Sequence, residues 1–195
     1  LGHDINKIKV LIHQFVSIIK DGSPVKMSTR KANFITLDEL INEVGVDAVR
    51  YFFIMRSMNS HLNFDLNIAK EKSDKNPVYY IQYAHARICT IINKTEIDTD
   101  NPQLKFLDQD DDIKLIYKLL DFENIVFKLK ESLEPQTLSN YLYDLAALFH
   151  KYYAHNRIIT ENMELSKARL VLIKATKIVI KNGLTILGIS APKSM

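Results

Sequence analysis

The sequence predicts a mainly α-helical protein, an antiparallel helical bundle preceded by a short β-containing segment. Apolar residues make up 47% of the 195 residues and charged residues 25%, which is typical of a chain that folds around a core. From residue 36 onward, apolar side chains recur at helical spacing between capping signals. The one cysteine, Cys89, excludes a disulfide framework and a multi-cysteine zinc site, and it fits a reducing compartment.

The first 35 residues carry the β signals. Residues 8–19 are rich in Val, Ile and Phe at both parities, which predicts a strand that is buried on both faces. Residues 20–23 contain Asp21-Gly22, the usual hairpin turn, and residues 26–35 are polar and predict a loop. Apolar runs are too short to span a bilayer, so we expect no membrane association.

Capping signals place the first helices. Thr36 and Glu39 form a capping box, and Gly45 should end that helix. Asp47 is the predicted N-cap of a second helix, and Asp65 that of a third over residues 66–74.

Longer helices follow. Pro77 should begin one that runs to about Lys94, and the acidic stretch 95–112 should act as a linker. The later predictions are one helix to about residue 133, one that begins near residue 138, and one over residues 165–182 with Gly183 just past its end.

The net charge of +3 hides an uneven distribution. Residues 96–112 carry seven acidic side chains and one basic one, whereas residues 150–195 carry eight basic and two acidic ones. A basic C-terminal quarter is typical of a surface that binds a polyanion, although a solvated helix face has the same composition.

Two helix faces combine aromatic and basic residues outside the apolar stripe. The first carries Asn76, Tyr80, Tyr83 and Arg87. Such a face suits stacking of unpaired bases and contact with phosphate, but tyrosines that pack against neighbouring helices would give the same pattern.

The second face carries His150, Tyr153 and Arg157 at positions i, i+3 and i+7. His150 has no carboxylate or second histidine beside it to complete a metal site. The last helix presents a lysine stripe that would attract phosphates without regard to sequence, namely Lys167, Lys174, Lys177 and Lys181.

The loop after the predicted hairpin reads Lys26-Met27-Ser28-Thr29-Arg30. Cations in such a loop could stabilise the charge on a departing pyrophosphate, and Ser28 could hold phosphate oxygens. In its context of residues 22–53, this stretch resembles the KMSKS region of class I aminoacyl-tRNA synthetases. The run Asn76-Pro77-Val78-Tyr79-Tyr80-Ile81-Gln82-Tyr83-Ala84-His85-Ala86-Arg87 and the C-terminal ending resemble arginyl-tRNA synthetases specifically.

The resemblance implies three regions and an activity. Residues 1–33 would be the tail of the catalytic domain, residues 34–74 a helical connector, and residues 75–195 the anticodon-binding domain. The family joins L-arginine to tRNA(Arg) through an adenylate made from ATP with Mg²⁺, in the cytoplasm and usually as a monomer. Its HIGH motif and arginine pocket lie upstream, so we expect this chain alone to be inactive, to bind no cofactor by itself, and to risk strand swapping in residues 1–33.

The resemblance also assigns residues. Lys26, Met27 and Ser28 match the ATP-binding loop, with Lys26 in the catalytic role, whereas Thr29 stands where the family has lysine and Arg30 or Lys31 could replace that cation.

For the tRNA, Tyr83, Tyr153 and Met195 match family positions near the anticodon loop, and the first two fall on the faces described above. No DNA binding is implied. The alternatives are a non-catalytic helical protein-interaction module and a standalone tRNA-binding protein.

Overall fold

The computed structural model describes residues 2, 4, 7, 8, 10–26 and 34–195. It shows a small sheet beside a helical bundle, as predicted. The strands are β1 (Val16–Lys20), β2 (Ser23–Pro24) and β3 (Leu62–Asp65). The helices are α1 (Leu37–Val44), α2 (Val46–Ile54), α3 (Leu66–Lys70), α4 (Pro77–Asn93), α5 (Asp110–Leu120), α6 (Phe122–Ser132), α7 (Gln136–His155) and α8 (Met163–Ile186).

The sheet has the order β2-β1-β3. β1 and β2 form the predicted antiparallel hairpin, and Asp21 and Gly22 both have positive φ, as a tight primed turn requires. β1 pairs with β3 in parallel, with Val16 opposite Leu62. The hairpin prediction is confirmed.

The predicted strand over residues 8–19 is wrong in extent and in burial. β1 begins only at Val16, and within it Ile18 is buried while Phe15, just before it, is 84% exposed. A strand is buried on both faces only where another layer covers each side of the sheet. In the described part of the chain, helix α3 packs against β1, but residues 10–17 are exposed to solvent.

Local capping explains the connector. Thr36 Oγ1 accepts a hydrogen bond from the Glu39 amide, and the Glu39 carboxylate accepts one from the Thr36 amide, so the predicted capping box is present. Gly45 ends α1 with φ of 86°. Gly45 also precedes α2, so Asp47 lies in the first turn and is not the N-cap that we predicted. Asp65 does cap α3, although that helix ends at residue 70.

The bundle consists of α4, α5, α7 and α8, whose apolar faces meet in one core. The predicted single helix before residue 133 is in fact α5 and α6. Tyr141 Oη donates to the Lys118 carbonyl at 2.7 Å, so that carbonyl has a side-chain partner where the chain turns at Asp121. Leu133 then ends α6 in the left-handed conformation.

The end of the last helix differs from the prediction. α8 runs from Met163 to Ile186, so Gly183 lies inside the helix, buried against Leu142 of α7. Gly188, with φ of 68°, makes the turn that follows α8.

The acidic stretch 95–112 separates α4 from α5, as predicted, but it also packs against α8. Its 3₁₀ turn (Leu104–Phe106) contacts α8, and the Lys174 ammonium of α8 donates to Thr99 Oγ1.

Candidate nucleic-acid interface

Helix α4 divides into a buried face and an open face. Val78, Ile81 and Ile88 point into the core, whereas Tyr83 and Arg87 are half-buried at its edge. The helix begins where the sequence predicts because Pro77 occupies the first position, at which a missing N–H costs little. One turn separates Tyr83 from Arg87, which brings them side by side.

Arg87 joins α4 to α7. Its Nη2 donates to Tyr83 Oη at 2.8 Å, and its Cζ lies 4.8 Å from the centre of the Tyr83 ring and 5.1 Å from that of the Tyr153 ring. A guanidinium between two rings is held by cation–π attraction to both. In the portion of the chain that the structure describes, Arg87 forms no ion pair, so its charge is not neutralised by a carboxylate.

His150 of α7 contacts two tyrosines of α4, Tyr80 and Tyr83. Its Nε2 donates to the Tyr80 carbonyl at 3.3 Å, and its ring lies 4.6 Å from the Tyr80 ring and 5.8 Å from the Tyr83 ring. Burial lowers the pKa of His150, the charge of Arg87 lowers it further, and the hydrogen bond to Tyr80 opposes both. His150 is therefore neutral at pH 7, and it supports the aromatic surface without adding charge.

These side chains line an open groove of about 280 Å³, which we call the tyrosine–arginine groove. The C-terminal tail forms one wall. The lining residues are Tyr83, Ala86, Arg87, Thr90, Ile91, Tyr153, Ser194 and Met195. The groove thus combines two aromatic rings, one cation and a thioether side chain that is half exposed.

A second hollow lies beside the groove and shares Tyr83 and Arg87 with it. Tyr79 stacks on Tyr83 with ring centres 6.1 Å apart and planes 8° apart, which extends the row of rings along α4. The sequence prediction did not include Tyr79, although its position four residues before Tyr83 could have indicated this stack.

Most of the predicted RNA-contacting residues therefore meet at one place. The structure brings together Tyr80, Tyr83, Arg87, His150, Tyr153 and Met195, although they come from α4, α7 and the tail.

Two predicted residues do not join them. Asn76 is buried, and its side chain caps α4, accepting from the Tyr79 amide and donating to the carbonyls of Ala69 and Glu71. Asn76 therefore has a structural role. Arg157 lies beyond the end of α7 at His155, so helical spacing does not place it next to Tyr153, and its carbonyl accepts from Arg169.

The lysine stripe on α8 is not one free surface. Lys174 donates to Thr99, and Lys167 lies 3.5 Å from the Glu164 carboxylate. Lys177 and Lys181 lie near His85, and their charges lower its pKa in addition to the larger effect of burial. These two lysines therefore add positive potential close to the tail.

The KMSKS-like loop is almost entirely outside the described residues. Lys26 is exposed just after β2, whereas Met27, Ser28, Thr29, Arg30 and Lys31 lie outside the described part. The ATP-binding prediction for this loop stays a prediction. Among the described residues, no group of three or more His, Cys, Asp or Glu side chains could hold a metal ion, and no helix is both long and apolar enough to cross a membrane.

Comparison with known families supports an RNA-related role. Residues 81–195 match the family model described as the DALR anticodon binding domain. The whole chain is 48% identical to part of an arginine–tRNA ligase of Salinibacter ruber and 44% identical to part of one from Desulforamulus reducens. The chain spans only about a third of these relatives, 35% and 36% of their lengths.

Solved structures give the same result. The fold matches a crystal structure assigned as an arginyl-tRNA synthetase from Campylobacter jejuni, with a TM-score of 0.87 and 34% identity over all of this chain and 42% of that one. It also matches the Thermus thermophilus arginyl-tRNA synthetase, with a TM-score of 0.76 and 25% identity over 91% of this chain and 34% of that one.

Proposed function

The chain belongs to the DALR anticodon-binding domain family, in the form found at the C-terminal region of arginine–tRNA ligases, and we propose that it binds the anticodon arm of tRNA(Arg). The observation that carries the proposal is the tyrosine–arginine groove. Two rings from different helices flank a guanidinium that no carboxylate among the described residues neutralises, and this combination suits an unpaired base next to its phosphate.

The groove recognises RNA in two ways. Base–aromatic stacking contributes about 1–3 kcal/mol per base, so the loss of one stacking ring should weaken binding about 5- to 150-fold. Arg87 in the groove, and Lys177 and Lys181 near His85, supply attraction to phosphate that weakens as salt is added.

Filter binding tests this proposal. The chain should prefer tRNA(Arg) to an unrelated tRNA, and Tyr83→Ala and Tyr153→Ala should each weaken binding within the range given above. Tyr117→Ala is the matched control, because Tyr117 is 70% exposed on α5 and outside the groove. Equal affinity for both tRNAs at low salt, with no effect of either groove variant, would refute the proposal and favour a non-catalytic protein-interaction module.

We also propose that the longer protein containing this chain is an arginine–tRNA ligase in the cytoplasm, with L-arginine, ATP and Mg²⁺ as its other ligands. Residues 1–33 would then contribute to the catalytic domain and residues 34–74 would connect it to the bundle. Lys26, with Met27 and Ser28, would stabilise negative charge on phosphate oxygens. In that longer protein, Lys26→Ala should slow arginine-dependent ATP–pyrophosphate exchange while leaving tRNA binding unchanged, and an unchanged exchange rate would refute this role.

A further inference from the structure

The last seven residues have no regular secondary structure, yet the fold holds them at defined places. Gly188 turns the chain after α8, and Ile189 is buried. A Cβ atom at Gly188 would lie 3.1 Å from Arg50 Nη1, so helix α2 packs closely against this turn. The tail therefore runs from the end of α8 past α2 before it reaches the tyrosine–arginine groove.

The first attachment joins the tail to α2 and α4. The Ser190 amide donates to Asp47 Oδ1 at 3.1 Å, and the Ser190 hydroxyl donates to Asp47 Oδ2. Gln82 Nε2 donates to the Ser190 carbonyl at 2.9 Å and to Asp47 Oδ2 at 2.8 Å. One residue of the tail is thus bound through its amide, carbonyl and hydroxyl groups, and hydrogen bonds to a charged group are stronger than neutral ones.

The second attachment lies two residues further along. His85 Nδ1 and the Pro192 carbonyl are 2.8 Å apart, and because a carbonyl can only accept, Nδ1 carries the proton and donates. His85 is buried one turn from Gln82 on α4, while the tail beyond Pro192 is exposed. Three residues after Pro192, Met195 lines the groove together with Tyr83, Arg87 and Tyr153.

We propose that Asp47, Gln82 and His85 are positioning residues, which hold residues 190–192 so that Met195 forms the wall of the tyrosine–arginine groove that faces the RNA. This inference rests on the proposed function for the ligand of the groove, but the position of the tail is a property of the chain alone. Asp47 belongs to α2, so the placement of this wall depends on the connector as well as on the bundle.

The position of the tail can be measured without RNA. The chain has five methionines, so a sample labelled with ¹³C at the methionine methyl groups gives few signals, and Met195 is assigned by its loss in Met195→Leu. His85→Leu removes the donor to Pro192 and should move the Met195 signal towards the position of a free methionine. His85→Asn places an amide N–H where Nδ1 stands and should restore the native shift. An unchanged Met195 signal in His85→Leu would overturn the proposal.

Ser190→Ala provides a second variant that does not disturb the bundle. It removes the hydroxyl contacts to Asp47 and Gln82 from an exposed residue, so thermal unfolding should change little while the Met195 signal shifts in the same direction as in His85→Leu. A Met195 signal that stays at the native position in both variants would show that these contacts do not hold the tail.

RNA affinity then tests the function of the tail. His85→Leu should raise the Kd for tRNA(Arg) about tenfold, the loss of about one well-placed contact. Deletion of residues 193–195 should have a similar effect, and His85→Leu should add less than about twofold in the truncated chain. An equal loss in both backgrounds would overturn the proposal, because His85 would then act without the tail. If the full chain shows no preference for tRNA(Arg), the proposed function fails, whereas the methyl signals still decide the positioning.

Discussion

Gly183→Ala should destabilise the chain, although alanine is the better helix former. Gly183 lies inside α8, where replacement of glycine by alanine alone would contribute about 1 kcal/mol of stability. A Cβ atom there would lie 2.5 Å from Leu142 Cδ2, 3.0 Å from its Cδ1 and 3.1 Å from its Cγ. Leu142 is fully buried, so it has no open space into which to move.

The two effects oppose each other, and the contact should dominate. Overpacking of this kind typically costs about 1–3 kcal/mol, so we expect a net loss of about 1 kcal/mol. For a protein of this size that loss lowers the Tm by roughly 2–4 °C. Thermal unfolding followed by circular dichroism measures the shift.

A second substitution tests the reason for the loss. With Leu142→Ala in place, the methyl groups that meet the new Cβ are gone, so Gly183→Ala should then become stabilising. A higher Tm for Gly183→Ala in the native background would refute the contact with Leu142. A loss of the same size in both backgrounds would instead indicate backbone strain at residue 183.

Two further predictions concern buried polar groups. Tyr152 Oη donates to Asp112 Oδ1 at 2.7 Å in the core, so Tyr152→Phe should lower the free energy of unfolding by about 1–3 kcal/mol in urea titrations, and a loss below about 0.5 kcal/mol would contradict this. Burial lowers the pKa of His85 and of His150 below the ordinary value of 6.5, so the unfolded chain binds protons first as the pH falls. Stability should therefore decrease as the pH falls through the ordinary value of 6.5, and it should level off only below the two lowered pKa values. The variant that combines His85→Asn with His150→Asn should lose most of this dependence, and an unaltered slope would contradict the assignment.

The features that the sequence predicts well are local. The capping box at Thr36, the Asp21-Gly22 hairpin and the start of α4 at Pro77 depend on residues within about four positions of each other, and the structure confirms each one. Hydrogen bonds at such short range are encoded by residue type and spacing alone.

The wrong predictions concern residues whose local structure or burial depends on contacts with a distant part of the chain. Asp47 has the chemistry of an N-cap, but its carboxylate binds Ser190, 143 residues away. Gly183 has the chemistry of a helix end, but α8 continues past it, and Leu142 of α7 occupies the space that a side chain at residue 183 would fill. The apolar run before Val16 predicts a buried strand, whereas its burial depends on whether another layer covers it.

In the candidate site, some features could be predicted from local spacing, whereas others depend on how distant segments pack. Helical spacing correctly places Tyr83 with Arg87 on α4 and His150 with Tyr153 on α7. The two pairs meet each other, and Met195 lies beside them, because of how α4, α7 and α8 pack together. Residue spacing along one helix does not encode that packing. Gln82 and His85 carried no signal of their own, because their partners lie in a tail without periodicity.

An exchange of anticodon loops between two tRNAs tests whether the tyrosine–arginine groove binds the anticodon loop. The affinities to compare are those of the chain for tRNA(Arg), for an unrelated tRNA, and for the unrelated tRNA carrying the anticodon loop of tRNA(Arg). If the tyrosine–arginine groove holds the anticodon loop, the chimera should bind about as tightly as tRNA(Arg). A chimera that binds no better than the unrelated tRNA would show that the groove does not hold the loop.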